Sequence, residues 1–262
     1  MSLIEAFILG IVQGLTEFLP VSSSGHIELA KAILGTEVEE DVLFTVILHG
    51  ATVLSTLVIY FQEIKKLIIE GVQPKWNDSK QYILFLVVSM IPVFFVGMFF
   101  KDTLENIFFG NILAVGIALL FTGALLSFTY LSRDFGAKIT WSSAIVMGIA
   151  QAIAVIPGIS RSGSTIATGL LMGVKKEEAT RFSFLMVLAP IMGANLLELL
   201  KFDPSQSTSL SWPVIIVGFI SAFVSGVIAC KWMIKLVKKG KLIYFAIYCL
   251  LVGTAAIVLS LI

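Results

Sequence analysis

The sequence predicts an all-α integral membrane protein built as an inverted-topology repeat, with six transmembrane helices and two re-entrant helical hairpins. Three observations predict it. Of 262 residues, 58% are hydrophobic and 13% charged, with a mean hydropathy of +1.00, far too apolar for a soluble domain. An unusual phrase occurs twice: Gly10-Ile11-Val12-Gln13, followed by Val21-Ser22-Ser23-Ser24-Gly25, returns 138 residues later as Gly148-Ile149-Ala150-Gln151, followed by Ile159-Ser160-Arg161-Ser162-Gly163. The match continues without a gap through Gly35/Gly173, Glu39/Glu177, Glu40/Glu178, Phe44/Phe182 and Ala51/Ala189, giving 11 identities in 42 positions; chance at this composition gives roughly three or four. Finally, each copy is an apolar run broken at Pro20 or Pro157 into a Ser/Gly segment. Paired broken helices in corresponding halves mark a binding site near the bilayer midplane.

The elements follow in order. Residues 2–33 form the first broken segment, each half too short to span. Polar backbone at its break must be buried in protein or line a cavity, so it is read as a re-entrant hairpin. Apolar stretches at about 41–61, 81–100 and 111–131 then reach the roughly 20 residues that a crossing needs. A polar loop lies at 70–80. Residues 141–174 are the second hairpin, and crossings follow at about 178–200, 212–235 and 242–261. The polar connection 202–212 lies between the first two of these. Each repeat, about 1–133 and about 139–262 of one membrane domain, holds a hairpin and three crossings. Three is odd, so the second copy is inverted. Charge agrees: of 18 Lys and Arg, 14 fall on one side, in the groups Lys65/Lys66/Lys75/Lys80, Arg133/Lys138, Lys175/Lys176/Arg181 and Lys231/Lys235/Lys238/Lys239/Lys241. The positive-inside rule makes that side cytoplasmic and puts both termini outside. The hairpins then enter from opposite sides and their tips can meet.

A net charge of +1 gives no reason to expect nucleic acid. Cys230 and Cys249 lie in apolar runs and read as buried small hydrophobes, with no disulfide or metal framework. The first apolar run has no basic region before it and contains Glu5, Gln13 and Glu17, so it reads as mature structure rather than a signal peptide.

The breaks carry the chemistry. Ser22 to Ser24 can cap a helix beginning Ser24-Gly25-His26, and Ser160 to Ser162 can cap one running through Gly163-Ser164-Thr165. A helix N-terminus offers unpaired N–H groups and partial positive charge to an anion. Two termini meeting suit a doubly charged or extended anion such as a pyrophosphate; the plainer alternative is that these clusters only turn the chain. The copies differ where it matters: Glu17 aligns with Val155, Ser23 with Arg161, and His26 with Ser164. Ionisable groups at membrane depth are functional by default. Arg161 is either a phosphate clamp, for which a planar guanidinium is suited, or simply the partner of Glu17. Gln13 and Glu17 share a helix face at i, i+4. With phosphate oxygens they suffice for Mg²⁺ or Ca²⁺, although Gln151 repeats Gln13 without a Glu, so these glutamines can also be packing hydrogen bonders. His26 can serve as general base, general acid or nucleophile. His49, mid-span, reads as an interhelical hydrogen bonder.

These residues resemble a family. Gln13-x-x-x-Glu17 with Phe18-Leu19-Pro20-Val21-Ser22-Ser23-Ser24-Gly25-His26 is similar to the first signature of the undecaprenyl-diphosphatases of the bacitracin-resistance type, and Pro157-Gly158-Ile159-Ser160-Arg161-Ser162-Gly163-Ser164-Thr165 resembles the second. The family accepts Glu or Gln at the leading position; Gln13 here removes one carboxylate. The resemblance implies a bacterial inner-membrane enzyme that hydrolyses undecaprenyl pyrophosphate to undecaprenyl phosphate and inorganic phosphate. That reaction recycles the carrier lipid of peptidoglycan synthesis and gives bacitracin resistance. It also implies dependence on a divalent metal, Mg²⁺ or Ca²⁺, and an active site opening to the outer face. The expected catalytic set is Glu17, Ser23, His26 and Arg161. Ser22, Ser24, Gly25, Ser160, Ser162, Gly163 and Thr165 are expected to bind substrate, and Gln13 and Glu17 the metal. Ser23 and His26 both stand as nucleophile, and direct attack by water is open too. The partners are the polyprenyl pyrophosphate and membrane lipid; a homodimer is compatible with the sequence. The rival reading is a transporter or flippase of an anionic lipid, since inverted repeats with broken helices also build transporters. The set Glu17, Ser23, His26 and Arg161 exceeds what an anion carrier needs.

Overall fold

A computed structural model describes residues 1–34, 42–108, 110–132, 136–201 and 210–261, and among them the regular elements are helices. The repeat positions Gly35, Glu39 and Glu40, together with Arg133 and most of the 202–212 connection, lie outside the described residues.

The first hairpin is α1 (Leu3–Phe18) and α2 (Ser23–Leu34). Ser2 and Glu5 form a capping box that starts α1. The helix stops because Pro20 drives the residue before it out of helical backbone; Leu19 is extended, with φ −72° and ψ 144°. Next comes α3 (Val42–Ile59), which turns by 76° at Tyr60 into α4 (Phe61–Gly71). The expected crossing of about 41–61 thus ends on a bend. The added helix α4 mixes Glu63, Lys65, Lys66 and Glu70 with exposed Phe61, Ile68 and Ile69, the make-up of a helix lying along a membrane surface. The crossing α5 (Asp78–Phe99) runs through Pro92, a short α6 (Lys101–Phe108) follows, and α7 (Ile112–Phe128) crosses back.

The second hairpin is α8 (Trp141–Ile153) and α9 (Arg161–Leu171). At 13 residues, α8 extends about 20 Å, short of the roughly 30 Å hydrocarbon core. Its base is tied shut: Ala137 N donates to Gly173 O at 3.3 Å and Lys175 N to Ala137 O at 2.9 Å. The chain therefore leaves at the level where it entered, as a re-entrant segment does. The expected span 178–200 is two helices, α10 (Lys176–Met186) and α11 (Leu188–Lys201). Pro190 has no N–H for the Met186 carbonyl and breaks the ladder there. Finally α12 (Trp212–Lys238) and α13 (Ile243–Ser260) cross. Among the described residues five spans are long and apolar enough to cross a membrane, α10–α11 counting as one, and the bent α3–α4 pair makes six.

Packing is reciprocal: α1 lies along α12, α8 along α5, and α7 along α13. Apolar burial drives little between helices in lipid, so close approach depends on small residues. A Cβ on Gly10 would sit 2.6 Å from Gly218 O, one on Gly14 2.4 Å from Ala222 O, and one on Gly148 2.4 Å from Ser89 O. These are backbone-to-backbone contacts that hold α1 and α8, and with them both tips, in place. Cys230 and Cys249 are buried, as expected, and Cys249 Sγ donates to Pro20 O at 3.6 Å. Outward, α5 presents Val87, Ile91, Phe94, Phe95 and Met98, an apolar surface suited to lipid.

Candidate active site

The two hairpin tips touch. Ser22 Oγ accepts from Gly25 N at 3.3 Å, capping α2, and also from Gly158 N of the other tip at 3.1 Å. Ser162 Oγ donates back to Leu19 O at 3.2 Å. Ser160 caps α9 by accepting from Gly163 N at 3.1 Å, the counterpart of the Ser22–Gly25 bond. The joint is tight: a Cβ on Gly25 would meet Gly158 Cα at 2.8 Å. It is also strained. Ser22 has φ +68°, a region costly for a residue with a side chain, whereas Gly158 takes φ +95° without that cost. Thr122 of α7 clamps the second tip, donating to Gly158 O at 3.0 Å and accepting from Ser160 N at 3.1 Å.

Beside this joint lies a small cleft lined by both polar and apolar side chains. Its polar lining is Glu17, Thr52, Thr56, Arg161, Ser162, Thr165 and Ser183; its apolar lining is Phe18, Val53 and Phe184 with Val187, Leu188 and Ile191 around the α10–α11 break. Arg161 Nη2 is 3.2 Å from Glu17 Oε1, with side chains 32% and 8% exposed respectively. The second carboxylate oxygen accepts from Gln13 Nε2 at 3.0 Å. Thr165 Oγ1 donates to Arg161 O at 2.8 Å and lies 2.6 Å from Ser183 Oγ. A hydroxyl has one proton and a carbonyl only accepts, so Ser183 is the donor to Thr165.

The expected site residues therefore divide. Gln13, Glu17, Arg161, Ser162 and Thr165 come together at the cleft. Ser22, Gly25, Ser160 and Gly163 build the joint, with their caps already engaged. Ser23 opens α2 half-buried and Ser24 is exposed beside it. Neither Ser23 nor His26 lines the cleft. Instead His26 Nδ1 is 2.8 Å from Ser22 O and Nε2 is 2.8 Å from Tyr248 Oη. Gln151, the counterpart of Gln13, is buried with neither amide atom hydrogen-bonded, so the packing bond expected of it is not made. Thr52, Thr56, Thr122, Ser183 and Tyr248 are additions from the structure. The only sequence signal for the first four is a hydroxyl inside an apolar span, which is too common to single them out.

The carboxylate of Glu17 and the amide oxygen of Gln13 are hard oxygen donors of the kind Mg²⁺ and Ca²⁺ take. No group of three or more His, Cys, Asp or Glu is gathered among the described residues. Any divalent ion here would thus lean on phosphate oxygens and water to complete its shell.

Comparison with known proteins matches residues 6–255 to the family model described as bacitracin resistance protein BacA. A protein of Bacteroides fragilis named undecaprenyl-diphosphatase is 52% identical, covering 98% of this chain and 97% of its own length. Proteins of the same name are 51% identical in Bacteroides thetaiotaomicron, with 100% of both chains covered, and 48% identical in Christiangramia forsetii, with 99% of both. A match over nearly the whole length, carrying both signatures, places this chain in the bacitracin resistance protein BacA family.

Proposed function

We propose that the protein is an undecaprenyl-diphosphatase, a membrane hydrolase that cleaves undecaprenyl pyrophosphate to undecaprenyl phosphate and inorganic phosphate. One observation carries the reading. In a chain about half identical to proteins of that name over nearly its full length, the Glu17–Arg161 pair lines a cleft beside the joined hairpin tips. A pyrophosphate suits the guanidinium and the α9 N-terminus at Arg161 and Ser162, and a prenyl chain suits the apolar side chains of Val187, Leu188 and Ile191.

In this reading Arg161 exchanges Glu17 for a phosphate oxygen when substrate binds, and Thr165 holds the Arg161 backbone while it does so. Glu17, freed on one oxygen, and Gln13 are the groups that would hold Mg²⁺ or Ca²⁺. That ion supplies charge neutralisation to the phosphate oxygens. The group that attacks the terminal phosphorus is Ser23, His26 or a water, with His26 otherwise carrying the proton; neither side chain lines the cleft, so water is the nucleophile that the geometry at Glu17 and Arg161 favours. Phosphoryl transfer of this kind is mostly positioning and charge stabilisation. The membrane is the bacterial inner membrane, both termini are outside, and the site opens to the outer face, where the carrier lipid is recycled and bacitracin would sequester it. The reciprocal packing of α1 on α12 and α8 on α5 supports two inverted repeats, about 1–133 and about 139–262.

The test is purified protein in detergent with undecaprenyl pyrophosphate, in Mg²⁺ and in EDTA. Equal amounts of phosphate and undecaprenyl phosphate, formed only with metal, are expected. Lipid movement across proteoliposomes without phosphate release would favour a transporter instead.

A further inference from the structure

His26 is held by a residue that neither signature contains. Its Nδ1 lies 2.8 Å from Ser22 O, and Nε2 lies 2.8 Å from Tyr248 Oη, a side chain of α13, 222 residues away. The rings are nearly parallel, 7° apart with centroids 5.5 Å apart. A backbone carbonyl can only accept, so Nδ1 carries a proton and the neutral ring is bare at Nε2. There the tyrosine hydroxyl donates. When the ring is protonated, the same hydroxyl accepts from Nε2–H. A hydroxyl alone among the groups touching this ring can serve both states without moving.

We propose that Tyr248 is the positioning residue of His26: it fixes the Nδ1–H tautomer and holds Nε2 at one place through the cycle of protonation. The contact also joins the first hairpin to the last helix of the second half, so the ring is fixed from both halves of the molecule. Tyr248 acts through His26 and touches no reacting atom in this account. The inference rests on the proposed hydrolase reading for its effect on turnover, but not for the tautomer itself.

The test uses Tyr248→Phe, which keeps the stacked ring and removes the hydroxyl. The chain has two histidines, so ¹⁵N-histidine labelling of the whole protein in detergent gives two imidazoles, and a His49→Gln variant assigns them. The wild type is expected to show a protonated Nδ1 and a bare Nε2 at His26. In Tyr248→Phe the two tautomers become mixed, and kcat falls about ten- to hundredfold while KM stays within about twofold. A wild-type His26 protonated at Nε2 with Nδ1 bare would overturn the proposal without any variant. So would Tyr248→Phe with unchanged ¹⁵N shifts, or with kcat within about twofold of wild type. A wild type that releases no phosphate would defeat the hydrolase reading, while the ¹⁵N shifts still judge the Tyr248 contact.

Discussion

Removing one partner of the Glu17–Arg161 pair should destabilise the protein unequally according to which partner goes. At 3.2 Å and an effective dielectric constant near 20, the Coulomb attraction is about 5 kcal/mol, most of it offset by desolvation. What remains after a substitution depends on the charge left behind. In Arg161→Ala the stranded group is the Glu17 side chain, 8% exposed, with Gln13 left as its hydrogen-bond donor among the described residues. Breaking a buried pair this way costs about 3 kcal/mol. In Glu17→Gln the stranded group is a guanidinium 32% exposed, which can keep some water, and the cost is about 1 kcal/mol. Thermal unfolding in detergent should show Arg161→Ala lower by about 6 to 12 °C and Glu17→Gln by about 2 to 4 °C. The neutral double variant Glu17→Gln/Arg161→Met should recover most of the stability and none of the turnover, because a pair kept only to hold the fold can be replaced by apolar groups. Equal losses for the two single variants would refute the reasoning. An active double variant would show that the pair is not needed for chemistry.

Other outcomes follow from the same geometry. Ser22→Ala leaves the buried Gly25 and Gly158 N–H groups without their shared acceptor and should cost about 2 kcal/mol, read as lower thermal stability with faster amide exchange at both tips. Gly14→Leu drives a side chain into the backbone at Ala222 and should cost about 3 kcal/mol or prevent folding; any folded fraction should lose turnover, since Gln13 and Glu17 shift with α1. Chelation should stop phosphate release and added Mg²⁺ restore it, with Gln13→Ala raising the Mg²⁺ needed severalfold and Glu17→Ala abolishing rescue. Cys230→Ala/Cys249→Ala should stay active and insensitive to reductant, since both thiols are buried and in no disulfide.

Much of the frame was legible because it rests on patterns with a physical cause. A 20-residue apolar run predicts a crossing, and Pro20 and Pro157 predict breaks. The recurrence of Ser22 and Ser160 predicted two matching caps, which the structure makes with Gly25 and Gly163. What was not legible was lateral. Nothing local marks Tyr248 as the neighbour of His26 or Ser183 as that of Thr165; the one is 222 residues away and the other 18, on a different helix. The end of the α3 crossing near residue 61 was legible from Gln62 and Glu63, but the 76° turn into a further helix was not, because no proline marks Tyr60. The break at Val187 had a signal in Pro190, but the span was apolar enough to read as one.

The central claim is that pyrophosphate is cleaved where Glu17 and Arg161 meet. The most direct measurement is phosphate release from undecaprenyl pyrophosphate by wild type, Glu17→Ala and Arg161→Ala at equal folded concentration. Each variant should lose at least about a hundredfold in kcat. Turnover within about threefold of wild type in either one would contradict the claim.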